Sequence, residues 1–136
     1  MISDTVIEAG TMGRVAYARV APNEDLMLGI QKLCLEVGFR NAFVRGALGS
    51  LVDASLCAQN GMNMHVSGPA VEVVSFAGEV RSRPNGTLAA ELSGVVADPD
   101  GRVYGGAFVA GGNPVCVTFE VILEEWLPHA PRKVSK

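Results

Sequence analysis

At 136 residues, with 49% hydrophobic and 18% charged side chains, the chain has room for one domain and enough apolar stock for a core without disulfide or metal staples. That balance excludes a disordered chain, and a net charge of -3 excludes a strongly basic nucleic-acid binder. No apolar run approaches the ~20 residues of a membrane helix, and no basic stretch leads an apolar one as in a signal peptide, so a cytoplasmic protein without a membrane partner is expected.

Cys34, Cys57 and Cys116 are odd in number, far apart and never in a C-x-x-C pair. They read as three buried thiols in a reducing compartment. Residues 1–13 lack sustained periodicity and are expected to form a loose arm or a short edge strand. The domain proper is expected over residues 14–126, opening with a strand at 14–20. Pro22-Asn23-Glu24-Asp25 then starts a helix, with Asn23 as the capping residue. Leu26, Ile30, Leu33, Cys34 and Val37 recur on one helical face, and Gly38 supplies a C-terminal stop.

Strands separated by turn residues follow, at 41–48, 51–59, 71–81, 87–97, 102–110 and 115–126. Gly49-Ser50 suits a bend or bulge, 60–68 a loop, and Asn85-Gly86 a tight hairpin. Residues 127–136, with two prolines and three basic side chains, read as a flexible tail. One helix followed by hairpins makes an α+β domain, a mostly antiparallel sheet with the helix across one face. The stretches 108–110 and 115–123 are apolar on both strand faces, more than one such chain can cover, so self-association is expected.

Candidate site residues are the ionisable groups in apolar phase. Glu72 alternates with Val74, Phe76 and Val80, which would part-bury its carboxylate. Arg45, in line with Phe43 and Ala47, is the first candidate for its counter-charge, and an arginine of an adjacent subunit is the other. Glu91 alternates with Ala89, Ser93 and Val95, a face of small side chains with room for a ligand or a neighbouring chain. With Gly105 and Gly106, these residues make up either a structural ion-pair cluster at a subunit interface or a small-molecule pocket.

His65 and His129 have no metal-ligand spacing, and neither G-x-S-x-G nor a phosphate loop occurs, so no catalytic residue, metal or cofactor is expected. Arg81-Ser82-Arg83-Pro84 differs from the R-G-R-P core of an AT-hook at the glycine and reads as a solvated turn.

Three segments together resemble the PPC (plants and prokaryotes conserved) domain. They are 46–51 with 54–56, then 71–78, then Ala97-Asp98-Pro99-Asp100-Gly101-Arg102-Val103-Tyr104-Gly105-Gly106. The resemblance implies an α+β homotrimer serving assembly and partner contacts, with DNA binding assigned to some members by fold analogy. Many prokaryotic members carry a three-histidine metal set. The matching positions here are Glu91, Ser93 and Ala107, which implies a chain without that metal. Since no basic stripe offsets the net charge of -3, any DNA binding is expected to be weak and non-specific. The plant contact motif Gly-Arg-Phe-Glu is matched only at its last position, by Glu72 in Pro69-Ala70-Val71-Glu72.

Overall fold

A computed structural model describes residues 5–129 and 132–133. Among these, the chain forms β1 (Val6–Ile7), β2 (Gly10–Val20), α1 (Leu26–Val37), β3 (Ala42–Leu51), β4 (Ala54–Cys57) and β5 (Asn63–Val66). It continues as β6 (Val71–Ser82), β7 (Leu88–Ala97), β8 (Val103–Phe108), β9 (Val115–Pro128) and β10 (Arg132–Lys133). Strands β2 to β9 make an eight-stranded antiparallel sheet in the order β2-β9-β3-β6-β7-β8-β4-β5, and β1 pairs with β10 apart from it. The α+β class with one helix therefore holds.

The helix packs on β7 and on β2, which stand four places apart in the sheet. The sheet must curl around α1 to meet it on both sides, as right-handed twist favours. Leu26, Met27, Ile30 and Cys34 fill the hollow against Val20, Leu92, Val96, Val121 and Leu123. Phe76 packs edge-on to Phe108 and Phe119, with centroids 5.4 and 5.0 Å apart, and closes the core beyond the helix. Burial pushes the Cys34 thiol up to about 11, so it is an inert core group, whereas Cys57 and Cys116 are only half-buried.

Several local expectations change. Asp25, not Asn23, caps α1: its Oδ2 accepts from Leu28 N at 3.0 Å. Asn23 instead takes a left-handed turn at φ 70 and donates its backbone N–H to Val115 O. Gly38 ends the helix at φ 81, as expected of a residue without a Cβ. Within the expected loop 60–68, residues Asn63–Val66 pair with β4 as a hairpin. β2 begins at Gly10, inside the expected arm, and Leu127 and Pro128 of the expected tail belong to β9, since Gly10 pairs with Pro128. The rest of the expected tail, at 130–131 and 134–136, lies outside the described residues, as do residues 1–4 of the expected arm.

Asn113 ties these parts together. Fully buried before β9, it accepts from Ser55 N at 2.8 Å and donates to Ser55 O at 3.1 Å and Val109 O at 2.8 Å. Its backbone N–H donates to Asp25 Oδ1 at 2.9 Å, and its carbonyl accepts from Leu26 N. Asn113→Ala takes from Ser55 N its acceptor, while Ser55 O still accepts from Val109 N and Val109 O from Gly112 N, so at ~1–3 kcal/mol for a buried group left unsatisfied a net loss of about 2 kcal/mol is expected. Urea unfolding of the variant checks this, with the denaturation slope unchanged and the midpoint lowered.

Candidate functional site

Strand phase decides which face each side chain meets. In β6, Val71 and Val73 face the core, but a bulge between Val73 and Ser75 shifts the register, so Phe76 and Val80 carry the core face onward. Glu72 and Val74 therefore point away from the core, and Glu72 is exposed. The expected partial burial of Glu72 among Val74, Phe76 and Val80 assumed unbroken alternation, which the bulge interrupts.

Arg45 does not reach Glu72 either. Its Nε lies 3.3 Å from Glu124 Oε1 on β9. The pairing of Phe43 with Glu79 and of Ser50 with Glu72 puts Arg45 about five residues from Glu72 along the strands, or ~17 Å at the usual rise. Glu72 pairs with Ala97 and Glu79 with Glu91, so Glu72 and Glu91 also stand ~20 Å apart. Within one chain, the expected cluster of Glu72, Glu91 and Arg45 does not form.

Glu91 and Ser93, in contrast, do come together. Ser93 pairs with Ala107, the last part of β7 that β8 covers, and beyond it the β7 edge runs on past the end of β8. A cleft of about 410 Å³ occupies this notch, lined by Met27, Glu91, Leu92, Ser93, Ala107 and Phe108. Gly106 lies across from Gly94, and a Cβ there would stand 2.8 Å from Cys57 O, so this glycine allows β4 to approach β8. Gly105 pairs with Val95 and has no such constraint; a Cβ there meets only ordinary contacts.

Two acidic groups carry interactions that the sequence reading passed over. Glu125 is buried on the core face of β9, in phase with Phe119, Val121 and Leu123. Strict alternation along β9 would have found it. Arg14 donates to it from Nε at 3.0 Å, from Nη2 at 3.1 Å and from its backbone N–H at 3.1 Å. Those bonds hold the Glu125 carboxyl below the usual carboxylate range. The Arg14 guanidinium also lies 5.0 Å over the Phe39 ring, at the end of the helix. The other acid, Glu8, lies on the arm and accepts from Arg81 and Trp126. No periodicity signals it, because its partners lie 73 and 118 residues away.

A family model for the Plants and Prokaryotes Conserved (PCC) domain matches residues 7–127. The chain belongs to this family, the PPC domain of the sequence resemblance. Among solved structures, it is similar to a metal-containing protein from Archaeoglobus fulgidus, with TM-score 0.77 and 20% identity over 91% of this chain and 87% of that one. It is also similar to a PPC protein from Pyrococcus horikoshii, with TM-score 0.72 and 21% identity over 93% and 85%. A third likeness is to a protein from Bacteroides thetaiotaomicron described as a candidate DNA-binding protein, with TM-score 0.72 and 15% identity over 88% and 83%. At these identities the likeness establishes the fold. No curated protein matches the chain.

The residues of this cleft do not make a set of ligands for a borderline metal. The cleft offers one carboxylate from Glu91, one hydroxyl from Ser93 and the methyl of Ala107. Among the described residues, no three of His, Cys, Asp or Glu come together as ligands. A borderline metal prefers imidazole and thiolate to such a set.

Two outcomes follow. Glu72→Gln leaves the stability of the single chain within ~0.5 kcal/mol, as at other exposed positions, and a thermal melt checks it. Glu125→Gln removes a carboxylate whose folded-state pKa is depressed. Such a group stabilises the fold above its unfolded pKa and loses that contribution as pH falls through the folded value. The stability gap between wild type and Glu125→Gln is therefore full near neutrality and closes below the ordinary carboxylate range, as urea titrations at stepped pH would show.

Proposed function

We propose that the chain is a self-assembling PPC-domain module, a homotrimer that acts as a regulatory binding unit without catalytic metal or cofactor. One observation carries this reading. On the sheet face turned away from α1, Tyr17 pairs with Ile122, and the register sets Leu48 alongside Val74. These four side chains are 68%, 40%, 59% and 60% exposed and form an apolar stripe across β2, β9, β3 and β6. Exposed apolar side chains gathered on one face of a folded chain support an interaction surface there. Of the stretches 108–110 and 115–123, from which self-association is expected, the second contributes Ile122 to this face, and the family resemblance supports three copies.

Polar pairs lie within and beside the stripe. Tyr17 donates its hydroxyl to Glu120, Arg19 donates to Thr118, and Arg45 faces Glu124. Protein interfaces combine such apolar side chains with hydrogen-bonded polar ones. Association with DNA is suggested by the description of the Bacteroides relative, and with a net charge of -3 it would be weak and non-specific. Free thiols at Cys57 and Cys116 suit a cytoplasmic setting.

A second reading, a small-molecule site and no metal, is favoured by the cleft at Glu91, Ser93 and Ala107. Of the pocket residues expected from sequence, Glu91 and Ser93 are the pair that supports it.

Light scattering across a range of concentrations tests the assembly. Wild type is expected at three times the mass of one chain, and Leu48→Glu, which sets a charge in the middle of the stripe, is expected to shift the population to single chains with its circular dichroism unchanged. A wild-type mass of one chain at every concentration overturns the reading.

A further inference from the structure

On the outer sheet face, near the end of β6, Arg81, Phe43 and Trp126 form a receptor around one oxygen atom. Glu8 Oε1 accepts from Arg81 Nη1 at 2.6 Å and from Trp126 Nε1 at 2.5 Å. Arg81 is held from behind: its Nε donates to Glu79 at 2.8 Å, and its guanidinium lies 5.6 Å over the Phe43 ring. Phe43 in turn meets Trp126 edge-on at 6.1 Å. These four residues come from the adjacent strands β9, β3 and β6, so the sheet builds the receptor without the arm. The arm contributes only the carboxylate.

A guanidinium and an indole N–H converging on one carboxylate oxygen, with an aromatic wall beside them, make a charge-assisted site for an acidic side chain. We propose that Arg81, Trp126 and Phe43 form a carboxylate-binding site whose resident ligand is Glu8, and whose ligand in trans is the same arm of a second copy of this chain. The arm suits exchange. Val6 and Ile7, beside Glu8, are 55% and 58% exposed, aliphatic surface that one chain leaves uncovered. Beyond Glu8, the arm is tied by the two-residue pairing of β1 with β10 and by His129 N donating to Ala9 O. Exchanging identical arms replaces every contact with its equivalent, so it costs little. The site also shares the sheet face of the apolar stripe, and the second copy as partner rests on the assembly reading above.

The chain has one tryptophan, so its emission reports on this site. The test titrates a capped peptide of residues 5–9 into full-length Glu8→Gln protein and into wild type, following Trp126 fluorescence. In wild type, the tethered arm competes at an effective concentration in the ~mM range, so half-saturation of Glu8→Gln is expected at ~10-fold lower peptide or less. A peptide carrying Gln in place of the glutamate is expected to bind ~10-fold more weakly, because the charge-assisted bond is lost. Equal responses from the two proteins, or from the two peptides, overturn the site. Should Glu8→Gln fold poorly, Glu8→Asp retracts the carboxylate by one methylene and must show the same ordering. Saturable, glutamate-dependent binding to a chain that light scattering finds always single leaves the site and removes the second copy as its partner. An assembled chain that ignores the peptide leaves the assembly and removes the site.

Discussion

A buried amide holds the turn where the helix, the β4 hairpin and the start of β9 meet. Asn113 satisfies both hydrogen-bonding groups of Ser55 and the carbonyl of Val109, while its own backbone is taken up by Asp25 and Leu26. Asp25 thereby caps α1 with one carboxylate oxygen and grips the β8–β9 loop with the other. Polar groups in a core must be satisfied, so this arrangement admits one geometry for three chain segments at once. The curl of the sheet depends on it, because α1 can bridge β7 and β2 only if its N-terminus is pinned beside Pro114.

With the helix fixed, the outer face is determined by bulges. Register shifts in β3 at Val44/Gly46 and in β6 at Val73/Ser75 change which residues face out. They send Val74 outward beside Leu48, and leave Glu72 in solvent. A one-residue slip reverses every side chain downstream, so two local irregularities account for both the apolar stripe and the absence of an ion pair between Glu72 and Arg45.

The same face separates two kinds of chemistry. Toward β8, the notch with Glu91 and Ser93 keeps the shape of a cleft while lacking a metal-ligating set. Beside it, where Glu79 pairs with Glu91, aromatic and guanidinium groups of β6, β3 and β9 gather around Glu8. Farther along the same strands lies the stripe of Tyr17, Ile122, Leu48 and Val74. A face built this way has its polar recognition toward one end of the strands and its apolar contact area toward the other.

Much of the fold was legible in the sequence, because period and turn chemistry are local. The 3.6-residue spacing of Leu26, Ile30, Leu33 and Cys34 placed the helix, Gly38 its end, and Asn85-Gly86 the β6–β7 turn. The D-P-D-G-x-V-x-G-G run, with the two segments before it, carried the family. The candidate site was legible in part: Glu91 and Ser93 share a face by simple alternation, whereas Glu72 was misplaced because a bulge leaves no mark on alternating residues. Glu125 could have been read from the phase of β9. Glu8, Arg81 and Trp126 could not, because a contact across 118 residues depends on which strands the sheet sets side by side, and strand order is a property of the assembled core rather than of any segment. The sequence by itself thus determined the class of fold, its helix and its turns, where the forces act between near neighbours. Tertiary structure alone decided which charges meet, because a carboxylate takes whatever donor the packing of distant strands brings within hydrogen-bonding reach.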